Sequence, residues 1–241
     1  MSTTKIYLFV ASMTVVVALL LTGFRMATAE QAEINEKVFN KRAILKSLAE
    51  GLDGDLDSMS DEEVQAVFQN NVQQVVIKTD GSVVEDMVAE NVKMKKEVKK
   101  AIEDRNLPLF VYSNPTSNKS YYITAVRGKG LWDEIWGSIA LEEDFNTIVG
   151  VSYDHAAETP GLGAEIKDNS AWVAMFTGKK IYDDAGNFVS INVRKGGAIP
   201  GNPHQVDAIT GATITGDGVT KMLENGLQLY ESYFATLKAG N

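Results

Sequence analysis

The stretch Ile6–Phe24, IYLFVASMTVVVALLLTGF, carries no charged residue and lies between Lys5 and Arg25. In hydrocarbon every backbone N–H and C=O must be paired within the chain, which restricts such a run to helix. At about 1.5 Å per residue, its length approaches the roughly 30 Å core of a bilayer. A cleaved signal peptide is the competing reading, because Ala27-Thr28-Ala29 has a small-x-small cleavage pattern. Two features favour an anchor, assigned to residues 1–29. The run exceeds a typical signal-peptide core, and Arg25 interrupts the path to the cleavage pattern. One helix with no ionisable residue inside the bilayer cannot form an ion pathway unaided. Basic residues flank it on both sides, so charge leaves its orientation open.

Beyond the anchor the chain is long and apolar enough to bury a core: the 241 residues are 44% hydrophobic and 23% charged. A net charge of -9 argues against nucleic acid, whose phosphates call for clustered Lys and Arg. With no cysteine, disulfides, thiolate catalysis and Cys-held iron–sulfur or zinc sites are excluded. His155 and His204 are the only histidines, too few for a histidine-rich metal site, and no metal ligand is assigned.

Residues 30–105 read as a helical stalk and hairpin region. Ile34, Val38, Leu45 and Leu48 recur at helical spacing from Glu30 to Glu50, with Phe39 and Ile44 widening the stripe. Asp53, Asp55 and Asp57 are spaced like the start of a calcium loop. Ser58 and Val64 stand where that loop needs Gly and Glu, so a polar linker is the better reading. Ser60 and Glu63 form a capping box for a short helix. Val72 to Val84 reads as a hairpin around Asp80-Gly81, and Met87 to Arg105 as a lysine-rich surface helix.

The remainder, residues 106–241, reads as one α+β domain with an antiparallel sheet and flanking helices. Expected strands are Leu109–Tyr112, Tyr121–Val126 and Asn187–Val193, with a hairpin from Gly137–Leu141 and Thr147–Tyr153. Ser170 is expected to cap a helix over Ala171–Phe176. A last helix is expected from Gly218 to Leu237, capped by Thr215 or Asp217.

Three glycine-bearing stretches stand out in this domain. Gly128-Lys129-Gly130-Leu131-Trp132 permits a tight turn that leaves Trp132 at a strand entrance, and it lacks the third glycine of a dinucleotide fingerprint. Glu158-Thr159-Pro160-Gly161-Leu162-Gly163 is a constrained loop whose backbone could lie against a flat ligand; a structural turn explains it about as well. Asp207-Ala208-Ile209-Thr210-Gly211-Ala212-Thr213 precedes the last helix, where free N–H groups and the helix dipole suit a phosphate. A plain capped turn is the alternative. The sequence holds no serine triad, and Asp183-Asp184 sits in turn-like sequence, so no catalytic residue is assigned.

Asp207-x-x-Thr210-Gly211-Ala212-Thr213 resembles the D-x-x-[ST]-G-A-T signature of bacterial FMN-binding domains. In those domains a flavin transferase joins the FMN phosphate to the last threonine, so the resemblance implies Thr213 as acceptor of covalent FMN. With the anchor and the other two stretches in the same order, the chain is similar to the family of C subunits of the Na⁺-translocating NADH:quinone oxidoreductase. Ala164 departs from it, standing where another glycine is common.

The resemblance implies an extracytoplasmic FMN-binding domain. Thr210, Gly211, Ala212 and Asp207 would shape the turn and serve recognition, and Lys195 would be a counter-charge. Trp132, Glu158, Thr159, Gly161, Leu162 and Gly163 would surround the flavin. It further implies an electron-carrier subunit on the bacterial inner membrane, its domain periplasmic, partnered by the other subunits of an NADH:ubiquinone-reducing, Na⁺-exporting complex. The G subunit of the ferredoxin-linked electron transport complex shares the anchor and threonine motif. A non-redox anchored binding module is the other alternative.

Overall fold

Alternating β-branched and aromatic residues from Val72 to His155 produce five strands, and the computed structural model, which describes residues 2–240, pairs them in sequence order. They are β1 Val72–Ile77, β2 Leu107–Ser113, β3 Ser120–Lys129, β4 Glu134–Leu141 and β5 Ile148–His155. Every neighbour is antiparallel, with registers such as Tyr112↔Tyr121 and Val126↔Gly137; the β4–β5 ladder shifts at Ala140/Leu141. A small parallel pair, β6 Asn192–Arg194 and β7 Gln205–Asp207, stands apart. The helices are α1 Thr3–Lys46, α2 Asp61–Asn71, α3 Met94–Glu97, α4 Glu165–Asp168, α5 Ser170–Ala174, α6 Thr213–Leu227 and α7 Glu231–Gly240. The chain divides into two compact units, Met1–Lys41 and Arg42–Asn241.

In the first unit α1 runs unbroken, and Ile6, Leu8, Phe9, Leu19, Leu20 and Phe24 are all exposed. The helix is long and apolar enough to cross a membrane, with a mean hydropathy of 2.3 over its most apolar stretch. Apolar side chains lie all round it, as lipid contact requires.

In the second unit the sheet is covered on both faces. Leu109, Thr124, Val126, Ile139 and Val151 share the face that meets α6. On the other face Phe68 of α2 packs edge-on to Phe110, and Gly150 passes under the Ser47 carbonyl, where a Cβ would lie 2.7 Å from it. The Ser60–Glu63 capping box forms as expected: Ser60 Oγ accepts from Glu63 N at 3.2 Å, and Glu63 Oε2 from Ser60 N at 2.7 Å.

α6 lies along β3 through a stripe four residues apart. Gly218 sits on the Lys129 carbonyl, Met222 on Gly128, and Gly226 on Val126, where a Cβ would come within 2.7 Å of Cγ1. Those contacts correct the expected last helix. α6 opens at Thr213, five positions early, and neither Thr215 nor Asp217 caps it. Gly216 and Gly218 carry a helix penalty, yet they are interior positions that let the helix approach its neighbours. The expected single helix also ends at Leu227, passes through a 3-10 turn at Gln228–Tyr230 and resumes as α7.

Other boundaries also differ. Asn169, not Ser170, caps α5, its Oδ1 accepting from Trp172 N at 3.0 Å. The lysine-rich segment expected as one helix is a 3-10 turn at Ala89–Asn91, the single turn α3, and another 3-10 turn at Ile102–Asp104. It has no continuous apolar stripe to hold a longer helix against the sheet. Around Gly81, at φ +88°, the chain turns back as expected, with Lys78 N donating to the Ser82 carbonyl and Val84 N to the Val76 carbonyl, both at 2.8 Å, and Val83 bridging Ile77. The return is too short to form a strand, and the long partner of β1 is β2. The strand expected over Asn187–Val193 shrinks to β6, with Phe188 bridging Tyr182.

Candidate functional site

The turn before α6 is built by Gly211. Ala212 N donates to the Ile209 carbonyl at 3.1 Å, and Gly211 takes φ +79°, the left-handed value a type II turn needs at its third residue. A Cβ there would also meet Leu162 Cδ2 at 2.7 Å, so the glycine seats Leu162 against the turn. Ala212 is the residue before the helix, and no side chain caps it. The N–H groups of Thr213, Ile214 and Thr215 therefore open the helix without intrahelical acceptors, at the positive end of its dipole. Thr213 is half-buried, its hydroxyl unengaged among the described residues, while Ile214 beside it is 57% exposed.

Thr215, two residues on, is in the opposite situation. It is 1% exposed, and its Oγ1 donates to Glu158 Oε2 at 2.7 Å. It is neither a cap nor a free hydroxyl.

Glu158 itself is 5% exposed and joins the first two glycine-bearing stretches to the first turn of α6. Its Oε1 accepts from Trp132 N at 3.0 Å, its Oε2 from Thr215, and its own N–H donates to His155 Nδ1 at 3.1 Å. A Cβ on Gly130 would collide with Oε1, and one on Gly163 with Oε2 and with Thr215 Oγ1. Both glycines are there to make room for the carboxyl, whose burial without partners would be costly.

Outside this buried clasp lies an exposed apolar surface. Trp132 is 65% exposed and is held by Nε1, which donates to Thr159 Oγ1 at 3.1 Å; Leu162 is 41% exposed. Gly161, at φ +73° with open space where a Cβ would point, turns the loop between Thr159 and Leu162. The structure thus brings Trp132, Glu158, Thr159, Leu162, Gly163, Gly211, Ala212 and Thr213 into one neighbourhood.

Three expected residues stand differently. Asp207 Oδ1 accepts from Ala198 N at 2.6 Å and its carbonyl accepts from Trp172 Nε1 at 2.7 Å, so it braces the loop after β6 and the aromatic cluster of Trp172, Tyr153 and Phe176. Lys195 is exposed on that loop and has no ion-pair or hydrogen-bond partner among the described residues. Thr210 is exposed within the turn. The sequence reading missed the Thr215–Glu158 bond and the service of Gly130 and Gly163 to it.

Burial pushes the Tyr153 hydroxyl well above its ordinary pKa, and among the described residues it has no hydrogen-bond partner. No cluster of three or more His, Cys, Asp or Glu side chains suited to a metal occurs among the described residues.

An uncapped helix start carrying a free threonine hydroxyl, beside an exposed indole and leucine, fits a flat ligand with a phosphate tail. Comparison with known proteins points the same way. Residues 130–228 match the FMN-binding domain family. The C subunit of the Na(+)-translocating NADH-quinone reductase of Vibrio anguillarum is 46% identical over 100 residues, covering 42% of this chain and 38% of that protein. The corresponding Pseudomonas aeruginosa protein is 30% identical over 99% of this chain and 97% of its own length. Among solved structures, the C subunit from Parabacteroides distasonis superposes with a TM-score of 0.72 at 32% identity, covering 84% of this chain and 94% of that one. Shewanella oneidensis NqrC gives 0.72 at 31%, covering 85% and 99%. From its apolar first helix to its FMN-binding fold, the chain belongs to the NqrC family, the C subunits of Na(+)-translocating NADH-quinone reductases.

Proposed function

We propose that Thr213 carries FMN through a phosphoester on Oγ1, placed there by a flavin transferase. The observation that carries this reading is the position of Thr213: the first residue of α6, half-exposed, its hydroxyl free, at an uncapped N-terminus. The adjacent N–H groups would hydrogen-bond the phosphate, and the dipole would favour its charge. When bound, FMN supplies one- and two-electron redox chemistry. This chain's residues do the rest. Trp132 and Leu162 offer flat apolar surface, and Thr159 fixes the indole. Gly211 keeps the turn low under Leu162, and exposed Lys195 is a candidate counter-charge. The tether holds the cofactor at high local concentration without changing the ring.

In this reading residues 106–241 form the flavin domain and α1 anchors it in the bacterial inner membrane, with the domain on the periplasmic side. The subunit relays electrons from NADH toward ubiquinone within a complex whose other subunits move Na⁺. It is an electron carrier rather than an independent catalyst. The test is intact mass and peptide mapping of wild type and Thr213→Val after co-expression with the transferase. Wild type should gain one FMN on the peptide containing Thr213, and the variant none; a variant that keeps covalent flavin sinks the assignment.

A further inference from the structure

We propose that Glu158 is the positioning residue for flavin loading: its carboxyl locks Thr215 inward and thereby presents Thr213 outward as the acceptor hydroxyl. The inference rests on Thr213 being that acceptor. Residues two apart on a helix point about 200° away from each other. Fixing the first turn at Thr215 therefore sets the side from which the Thr213 side chain leaves the helix. Gly216 against Val193 and Gly218 against the Lys129 carbonyl seat the helix body, but Ala212 offers no side-chain cap, and the Thr215–Glu158 pair is the side-chain hydrogen bond nearest the helix start. The turn holding Trp132 is fastened to the same carboxyl, so the acceptor and the apolar surface beside it share one reference point. A Cβ at Gly130 or at Gly163 would collide with this carboxyl, so its placement depends on both glycines.

Loading forms the Thr213 Oγ1–P bond. With FAD as flavin source the pyrophosphate bond breaks, AMP leaves, and the hydroxyl proton passes to solvent. Glu158 touches none of these atoms, so its effect is on the geometry of attack.

The experiment loads the full-length chain, made without the transferase, using FAD and purified transferase. In-gel flavin fluorescence gives initial rates and peptide mapping gives the site. Glu158→Ala should lower kcat/KM for loading by roughly 10- to 100-fold, the scale expected for a misplaced reacting group. Glu158→Gln keeps the shape, accepting from Trp132 N through Oε1 and bonding the Thr215 hydroxyl through its amide, and should load within about threefold of wild type. Gly163→Ala, which displaces the carboxyl, should load as slowly as Glu158→Ala. Combined with Glu158→Ala it should add little further slowing, because the two changes act through one contact.

Val64→Ala, at a buried position of α2 far along the sequence from the site, gives a control of lowered melting temperature that should load normally. If Glu158→Ala fails to fold, the contrast between Glu158→Gln and Gly163→Ala decides. Wild-type rates in Glu158→Ala or Gly163→Ala, or a slowing no greater than in Val64→Ala, overturn the inference and leave Thr213 as acceptor intact. A wild-type chain that takes up no flavin, or takes it at another residue, overturns both.

Discussion

Trp172 Nε1 donates to the Asp207 carbonyl across 2.7 Å, tying the aromatic cluster of Trp172, Tyr153 and Phe176 to the first residue of the D-x-x-T-G-A-T turn. Trp172 is buried, edge-on to Phe176 at 5.0 Å. Replacing it by Phe keeps a ring but removes the donor and leaves a gap. We expect Trp172→Phe to cost about 1–3 kcal/mol. Urea unfolding should show an unchanged m-value and a lower midpoint.

Thr215→Val leaves Glu158 Oε2 without its donor in a buried place. About 1–3 kcal/mol of stability should be lost, the cost of an unsatisfied buried group. In the proposed reading peptide mapping should still find flavin at Thr213, loaded more slowly, because residue 215 positions the acceptor without being it.

Gly218→Ala tests the close packing of α6 on β3. Alanine is the better helix former by about 1 kcal/mol. Here its Cβ would press on the Lys129 carbonyl, which is backbone and cannot swing aside. The outcome should be a net loss of about 1–3 kcal/mol, measured by thermal or urea unfolding. A gain would mean that the helix can shift freely on the sheet.

Glu97 makes part of the stability pH-dependent. Burial alone would raise its pKa; hydrogen bonds from Asn106 N and Lys100 Nζ, both 2.9 Å, with the lysine charge, outweigh burial and hold it below its ordinary value. A depressed carboxyl stabilises the fold fully above the unfolded value near 4.5 and loses that contribution as pH falls through the folded one. Between pH 7 and pH 3 the wild type should therefore lose stability that Glu97→Gln lacks at both ends. At pH 7 that variant should be weaker by about 1.5–3 kcal/mol, and the gap should narrow in acid.

How far the sequence discloses the molecule differs by region. Strands β2 to β5 were legible because their alternation and turn residues are local properties. The Ser60–Glu63 cap was legible for the same reason. The start of α6 was not, since Gly216 and Gly218 carry a helix penalty locally and their justification lies on β6 and β3. The segment from Met87 to Arg105 misled in the other direction: its residues favour helix, and no buried stripe supports one. At the site, Thr213, Trp132 and Leu162 came from motif and resemblance. Glu158 was noticed as part of a loop, but its tie to Thr215 spans 57 positions and has no local signature.

The order β1-β2-β3-β4-β5 means that each strand of the large sheet finds its partner in the adjacent stretch of chain. α6 must return across the sheet to β3, from far down the sequence. Such local pairings close cheaply and early, and the distant contact comes late. Thr213 stands at the first residue of that late-arriving element. In the proposed reading the acceptor hydroxyl thus acquires its setting only as the domain finishes folding, and an attached flavin would mark a folded domain.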